Sequence, residues 1–198
     1  MPNERIACVR NVRRNEQCEG TVQLRGTGIQ QDYYLMERRK NRAVERHGEK
    51  NWRRSMDYRR FGNQLVLRVD RGEEVMESLM AVCEKEQIRL ATIAGLGAAD
   101  HLVMGLYDVE KQKFEETVLE QPLEITSLIG SVTEMNGHPY LHVHINVADA
   151  AGHAYGGHLK SVRIGGTAEI FLTLLDGHVG RKKDDITNTG LNLFSFDA

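Results

Sequence analysis

Between residues 140 and 159 the chain reads Tyr140-Leu-His-Val-His-Ile-Asn-Val-Ala-Asp-Ala-Ala-Gly-His-Ala-Tyr-Gly-Gly-His-Leu159. Apolar and polar residues alternate in the first half of this stretch, which is the pattern of a half-buried β-strand. The alternation places His142 and His144 on one face of the strand, with their Cβ atoms roughly 6–7 Å apart. Residues 149–157 are rich in Gly and Ala and predict a turn, which would bring His158 back over the same face.

The clustering of histidines in this region indicates a metal site. Five of the eight histidines of the chain lie between residues 138 and 158. Three neutral imidazoles are a common zinc ligand set, and three protein ligands leave a fourth position for water or substrate. We therefore predict that Zn²⁺ or a similar divalent ion is bound by His142, His144 and His158. The alternative is that these side chains form hydrogen bonds on a polar sheet face or at a subunit interface, and His138 and His153 are more typical of turn residues.

Four further residues are candidates for supporting roles near the histidines, whereas no catalytic residue can be assigned. Glu169 and Asp149 are the carboxylates nearest to the histidines by motif. Each is a candidate general base, a candidate partner that orients a metal-bound imidazole, or a plain surface residue. Tyr155 and Asn146 are candidates for hydrogen bonding in a pocket beside the histidines.

The rest of the pattern predicts an α+β fold, with a mainly antiparallel sheet of about seven strands and one principal helix packed on it. The helix is predicted from about Gly72 to Gln87, because apolar residues recur there at spacings of three and four. Asp70 is its predicted N-cap, with Glu73 in a capping position. Strands are predicted at residues 61–70, 88–99, 101–108, 113–120, 123–134, 141–147 and 167–175, with a hairpin turn at Asn136-Gly137 and an exposed charged segment at residues 181–188.

Composition and motifs exclude several classes of protein. No run approaches the roughly 18 apolar residues of a membrane span, and no secretory signal is visible. The cysteines form no Cys-x-x-Cys pair, and so sparse a set predicts a cytoplasmic protein; Cys83 is predicted to lie in the core. Gly95-Leu-Gly97 lacks the third glycine of a dinucleotide-binding fingerprint, and no helix follows it, which argues against NAD.

Charge divides the chain into two parts. Residues 1–56 contain 13 Lys and Arg against 7 Asp and Glu, whereas residues 57–198 contain 13 against 21. We therefore divide the chain into a basic extension, residues 1–55, and a domain, residues 56–198. Low hydrophobicity and high charge predict that the extension is disordered. It is interpreted as a nucleic-acid-binding arm, as a plain solvated tail, or as the result of a start assigned upstream of a true start at Met56.

Four motifs carry a resemblance to a known family: Arg71-Gly-Glu-Glu-Val-Met-Glu-Ser-Leu79, Ile88-Arg-Leu-Ala-Thr-Ile-Ala-Gly-Leu-Gly-Ala98, His142-Val-His144 with Gly156-Gly-His-Leu159, and Thr167-Ala-Glu169. Through them the chain resembles the plants-and-prokaryotes conserved (PPC) domain, which is joined to AT-hook motifs in plant nuclear proteins. The resemblance implies an α+β homotrimer with the histidines near subunit boundaries, and a DNA-binding or transcription-regulatory role. The Arg-Gly-Arg-Pro core of an AT-hook is missing, since Arg25-Gly26 is followed by Thr27, and this departure argues against strong minor-groove binding.

Three functions therefore stay open at the level of sequence. The first is a DNA-associated regulatory protein of the PPC type, which the family resemblance favours. The second is a metal-dependent enzyme that acts on a small molecule at the three histidines. The third is a trimeric small-molecule sensor whose histidines line a pocket between subunits.

Overall fold

The structure, a computed structural model, describes residues 57–196. The predicted extension, residues 1–55, lies outside the described residues. Within them the α+β prediction is confirmed, since one helix accompanies a single sheet. The elements in chain order are β1 (Asp57–Phe61), β2 (Gln64–Asp70), α1 (Val75–Lys85), β3 (Ala91–Asp108), β4 (Lys113–Leu119), β5 (Leu123–Met135), β6 (His138–Ala148), β7 (Ala154–Leu174), β8 (Gly180–Lys183) and β9 (Asn192–Ser195).

Four long strands close the sheet on itself. Strand β3 pairs with both β5 and β7, and β6 also pairs with both β5 and β7, in every case antiparallel. The pairings therefore form a ring, β3–β5–β6–β7, to which β1 and β2 are added beyond β7 and β4 is added beside β3. Each ring strand has a neighbour on both sides, so the ring holds β6 and β7 firmly against each other.

The inner face of this ring forms the core, together with one face of the helix. Strand β6 turns Val143, Ile145 and Val147 inward, and all three are buried. Burial of each such side chain contributes about 1.5–3 kcal/mol. The helix packs its apolar face against β6 and β7 and buries the Cys83 thiol, as predicted. The alternating residues of β6 must then lie on the outer face of the ring, where His142 and His144 are found.

The start of the helix differs from the prediction. Its N-cap is Glu74, which accepts a hydrogen bond from Glu77 N at 2.6 Å, and not Asp70. Asp70 and Glu73 do interact as the capping pattern suggests, because Asp70 N donates to Glu73 Oε2 at 2.8 Å. They close a turn just before the helix. The second carboxylate oxygen of Glu74 accepts from Val162 N on β7 at 2.8 Å, so one side chain both caps the helix and ties it to the sheet.

The described residues contain nine strands where about seven were predicted. Three short strands were not predicted separately: β1, which precedes the turn at Gly62, and the hairpin strands β8 and β9. The two strands predicted at residues 88–99 and 101–108 are one bent strand, β3, with register shifts near Gly97. The predicted turn at residues 149–157 occupies only residues 149–153, because Gly156 and Gly157 continue as part of β7.

Candidate metal centre

Strands β6 and β7 bring the three predicted histidines together on the outer face of the ring. His144 lies directly opposite His158 in the β6–β7 register, and His142 lies two residues along β6 on the same face. The three rings are separated by centroid distances of 5.1 to 5.3 Å. One nitrogen from each ring lies within 4.8 Å of the other two, so small ring rotations would bring all three to one ion at roughly 2.1 Å.

Two of these rings are held in the neutral form that a metal ligand requires. Burial lowers the pKa of His158 to about 4, with smaller contributions from the neighbouring histidines. Burial also lowers the pKa of His142, followed by the charge of Arg181 and by His144. An imidazole must be deprotonated to bind a metal, so these two rings offer a lone pair at neutral pH without first losing a proton.

One side of the cluster is apolar. Phe114 on β4 packs against His158 with the rings edge to face at a centroid distance of 5.7 Å. Gly105 on β3 makes room for this contact, because a Cβ atom there would lie 2.9 Å from Phe114 Cζ and would overlap the Glu115 carbonyl oxygen. The second glycine of the Gly-Gly-His motif also makes room for a close contact. A Cβ atom at Gly157 would lie 2.8 Å from the Gly105 carbonyl oxygen, so glycine lets β3 and β7 approach closely beside His158.

Arg181, which sequence reasoning missed, lies near the His142 end of the cluster. The guanidinium group of Arg181 lies between the rings of Tyr140 and Phe194, at 4.4 and 4.6 Å from their centroids. Tyr140 precedes His142 by two residues and faces the same side of β6. The segment 181–188 was predicted to be exposed, but Arg181 is half-buried and Asp184 is buried. No local pattern identifies this packing, because it depends on the β8–β9 hairpin folding over β5 and β6.

The supporting candidates lie at different distances from the histidines. Asn146 lies two residues beyond His144 on the same face of β6, opposite Gly156. Asp149 closes the β6–β7 turn, where it accepts hydrogen bonds from the backbone of residues 151 and 153 and from the Tyr155 hydroxyl. Glu169 is remote from the cluster along the chain. It lies on β7 eleven residues beyond His158, a contour length of roughly 35 Å. There it is in register with Arg68 and Leu96.

A family comparison identifies the domain. The sequence profile of the Plants and Prokaryotes Conserved (PCC) domain, also written PPC, matches residues 56–176, which is more than half of the chain. The chain belongs to this family. The resemblance inferred from the four motifs is therefore confirmed. No curated protein sequence matches the chain.

Solved structures share the PPC fold with this chain. A protein of Bacteroides thetaiotaomicron, provisionally described as DNA-binding, is 26% identical with a TM-score of 0.70, covering 73% of this chain and 99% of its own. A metal-containing protein of Archaeoglobus fulgidus is 33% identical with a TM-score of 0.63, covering 71% and 97%. A PPC protein of Pyrococcus horikoshii is 31% identical with a TM-score of 0.62, covering 71% and 94%. No helix among residues 57–196 is long and apolar enough to cross a membrane.

The donor set fits a borderline transition metal better than a hard cation. Imidazole nitrogens suit zinc, copper, iron or nickel, whereas magnesium and calcium are held by oxygen ligands. Among the described residues, the group that could hold an ion consists of three histidines and contains no carboxylate. The centre can therefore contribute three nitrogen ligands, and it leaves at least one coordination position for another group.

Proposed function

We propose that this PPC protein binds a divalent transition metal, such as Zn²⁺, through His142, His144 and His158, and that the centre binds a small molecule. The convergence of the three imidazoles within 4.8 Å carries this proposal. A metal in such a site supplies a Lewis acid and lowers the pKa of a bound water. The protein's own contribution is to fix the rings on two paired strands and to cover one side of them with Phe114.

A ligand-binding or sensing role is favoured over catalysis by what surrounds the histidines. The two carboxylates considered as general bases lie in other parts of the fold. Asp149 is held in the β6–β7 turn, and Glu169 lies on the far half of β7. A metal-dependent enzyme would require a base from another source, whereas a sensor requires only an open coordination position and a ligand that fits it.

The metal content of the purified protein tests the proposal directly. Purified wild-type protein is expected to retain close to one metal ion per chain by elemental analysis. His142→Ala and His158→Ala are each expected to lose most of it, because two imidazoles bind far more weakly than three. His153→Ala is the matched control, since His153 is an exposed turn residue that pairs with Asp149. Metal-free wild type after zinc loading, or equal metal content in all variants, would contradict the proposal.

We further propose that the protein is a homotrimer, as the family resemblance implies, and that it is cytoplasmic, as its sparse cysteines indicate. An exposed apolar row on the outer face of the sheet supports assembly. Ile129 and Phe171 lie on either side of Ala94 in the register of β5, β3 and β7, and Leu96 lies two residues further along β3. These large side chains are about half exposed in the single chain. A row of this kind typically becomes buried between copies of a chain.

A DNA-associated role is the second candidate function, and the charge division of the chain favours it. The basic part, residues 1–56, can neutralise phosphates, whereas the acidic domain is poorly suited to do so. Full-length protein is expected to bind random and AT-rich duplexes weakly at low salt in fluorescence anisotropy. Replacing the pairs Arg13-Arg14, Arg38-Arg39 and Arg53-Arg54 by Gln should flatten the dependence of the affinity on salt. Absence of salt-dependent binding by the full-length chain would remove direct DNA binding.

A further inference from the structure

Arg181 is a cation without an acidic partner among the described residues. Its Nε donates to Thr133 Oγ1 at 2.8 Å, and its Nη1 donates to the Asn192 carbonyl oxygen at 2.8 Å. Its Nη2 is buried and has no hydrogen-bond partner within residues 57–196. A partly buried charge is costly unless it is paired. The charge of Arg181 is therefore available to balance that of a bound anion.

The acidic side chains closest to Arg181 in the sequence and the sheet have other partners. Glu134, next to Thr133 on β5, pairs with Arg89 and with His178. The Asp184 carboxylate accepts hydrogen bonds from the backbone and the hydroxyls of two threonines, Thr187 and Thr189, and these bonds hold its pKa well below the ordinary value. Neither carboxylate forms an ion pair with the guanidinium group, so neither neutralises Arg181.

The guanidinium group is also fixed in position. Two aromatic rings hold its plane on both faces, and two hydrogen bonds to β5 and β9 hold its edge. The Tyr140 ring is itself held by a hydrogen bond from Asn192 Nδ2 to its hydroxyl at 3.4 Å. A fixed guanidinium loses little conformational freedom when it binds an anion, and its planar donors match the geometry of a carboxylate or phosphate.

Arg181 lies beside the histidine cluster. Tyr140, which it stacks on, and His142 are neighbours on one face of β6. Three neutral imidazoles would leave the charge of a divalent ion uncompensated, and Arg181 adds a further positive charge. The family profile matches only to residue 176, so β8 and its arginine lie beyond the matched segment.

We propose that Arg181 is the anion-binding residue of this centre, and that the small molecule bound there carries an oxyanion, a carboxylate or a phosphate. This inference rests on the proposed metal centre. One oxygen of the ligand occupies the open coordination position, and the negative charge is balanced by the guanidinium group, which has no carboxylate partner among the described residues. The ligand class follows from charge balance, because a neutral or cationic ligand would leave the arginine and the metal uncompensated.

Titration of the cobalt-loaded full-length protein with inorganic phosphate and with acetate tests this inference. Co²⁺ reports binding at its open position through its visible absorption bands, and metal content is measured first for every variant. Arg181→Gln is expected to retain the metal and to bind the preferred anion about 10-fold or more weakly, the loss typical of a hydrogen bond to a charged group. Arg181→Lys should recover part of the affinity. Arg163→Gln is the matched control, because Arg163 is an exposed arginine paired with Asp100.

A second variant keeps the test decisive if Arg181→Gln fails to fold. Phe194→Leu removes one stacking ring from a half-exposed position and should weaken the same anion without changing metal content. The relative affinities for phosphate and acetate distinguish the two ligand classes. Equal anion affinity in wild type and the Arg181 and Phe194 variants, with metal bound in all of them, would overturn the role of Arg181 and leave the metal centre standing. A wild type that binds no metal would overturn both.

Discussion

Chelation of the metal is expected to lower the melting temperature of the wild-type protein by roughly 8–16 °C. The three ligands come from two paired strands, so the ion binds the folded chain and not the unfolded one. A ligand present at about 1,000 times its dissociation constant stabilises the folded state by about 4 kcal/mol. For a chain of this size each kcal/mol shifts the melting temperature by roughly 2–4 °C. Thermal unfolding followed by circular dichroism, with and without a chelator, measures the effect.

The His158→Ala variant separates metal binding from the packing of the histidine. It should show no response to the chelator, and its melting temperature should lie near that of the chelated wild type. The metal-free variant is not expected to be much less stable than metal-free wild type, because the imidazole removed is a half-buried polar group. A wild type that melts at the same temperature with and without chelator would show that the histidine cluster contributes to stability without a metal.

Local periodicity was sufficient to predict the histidine face. Side chains of a strand alternate with a period of two, so the sequence of β6 alone places His142 and His144 on one side. To predict that His158 lies on the same side, it was enough to expect that the chain returns beside β6 after a short turn. The register that sets His158 opposite His144 could not be read in the same way, since it depends on the length of the turn and on the strands that flank it.

The misassigned turn at Gly156 and Gly157 has a physical explanation. Glycines in sequence indicate a turn because they tolerate unusual backbone angles, but these two lie in an extended strand. Because they have no side chain, neighbouring groups can approach these two residues closely. Gly157 lies against the carbonyl of Gly105, and Gly156 lies against the side chain of Asn146. Which of the two uses applies is decided by neighbouring strands that are distant in sequence, so local reasoning favours the wrong one.

Arg181 was missed for a different reason. Runs of charged residues are most often solvated, and residues 181–185 read Arg-Lys-Lys-Asp-Asp. Only the fold reveals that Arg181 lies between two aromatic rings while Lys182 and Lys183 are exposed. The distinction within this run depends on the short β8–β9 hairpin and on Tyr140, which is forty-one residues earlier in the chain. A functional side chain placed by tertiary packing alone leaves no periodic signal in the sequence.

Replacing Gly105 by Ala is expected to destabilise the protein by about 3 kcal/mol and to weaken metal binding at the same time. The added methyl group would overlap the Glu115 carbonyl oxygen of the neighbouring strand β4, and a backbone atom in a paired strand cannot move aside as a side chain can. It would also lie 2.9 Å from Phe114 Cζ and push the ring that packs on His158. Urea denaturation measures the stability, and metal titration measures the affinity.

Gly166→Ala is the matched control for this substitution. Gly166 also lies in a long ring strand, β7, and its nearest neighbour to an added methyl group is the Ala98 side chain at 3.3 Å. Gly166→Ala should lower the free energy of unfolding by less than about 1 kcal/mol and leave the metal affinity unchanged. If Gly105→Ala were as stable as Gly166→Ala, the close pairing of β3 and β4 would not be what positions Phe114. If it were unstable but bound metal normally, the Phe114 ring would have no part in holding His158. Loss of both stability and metal affinity in Gly105→Ala, but not in Gly166→Ala, would show that strand packing behind the cluster sets the geometry of the three imidazoles.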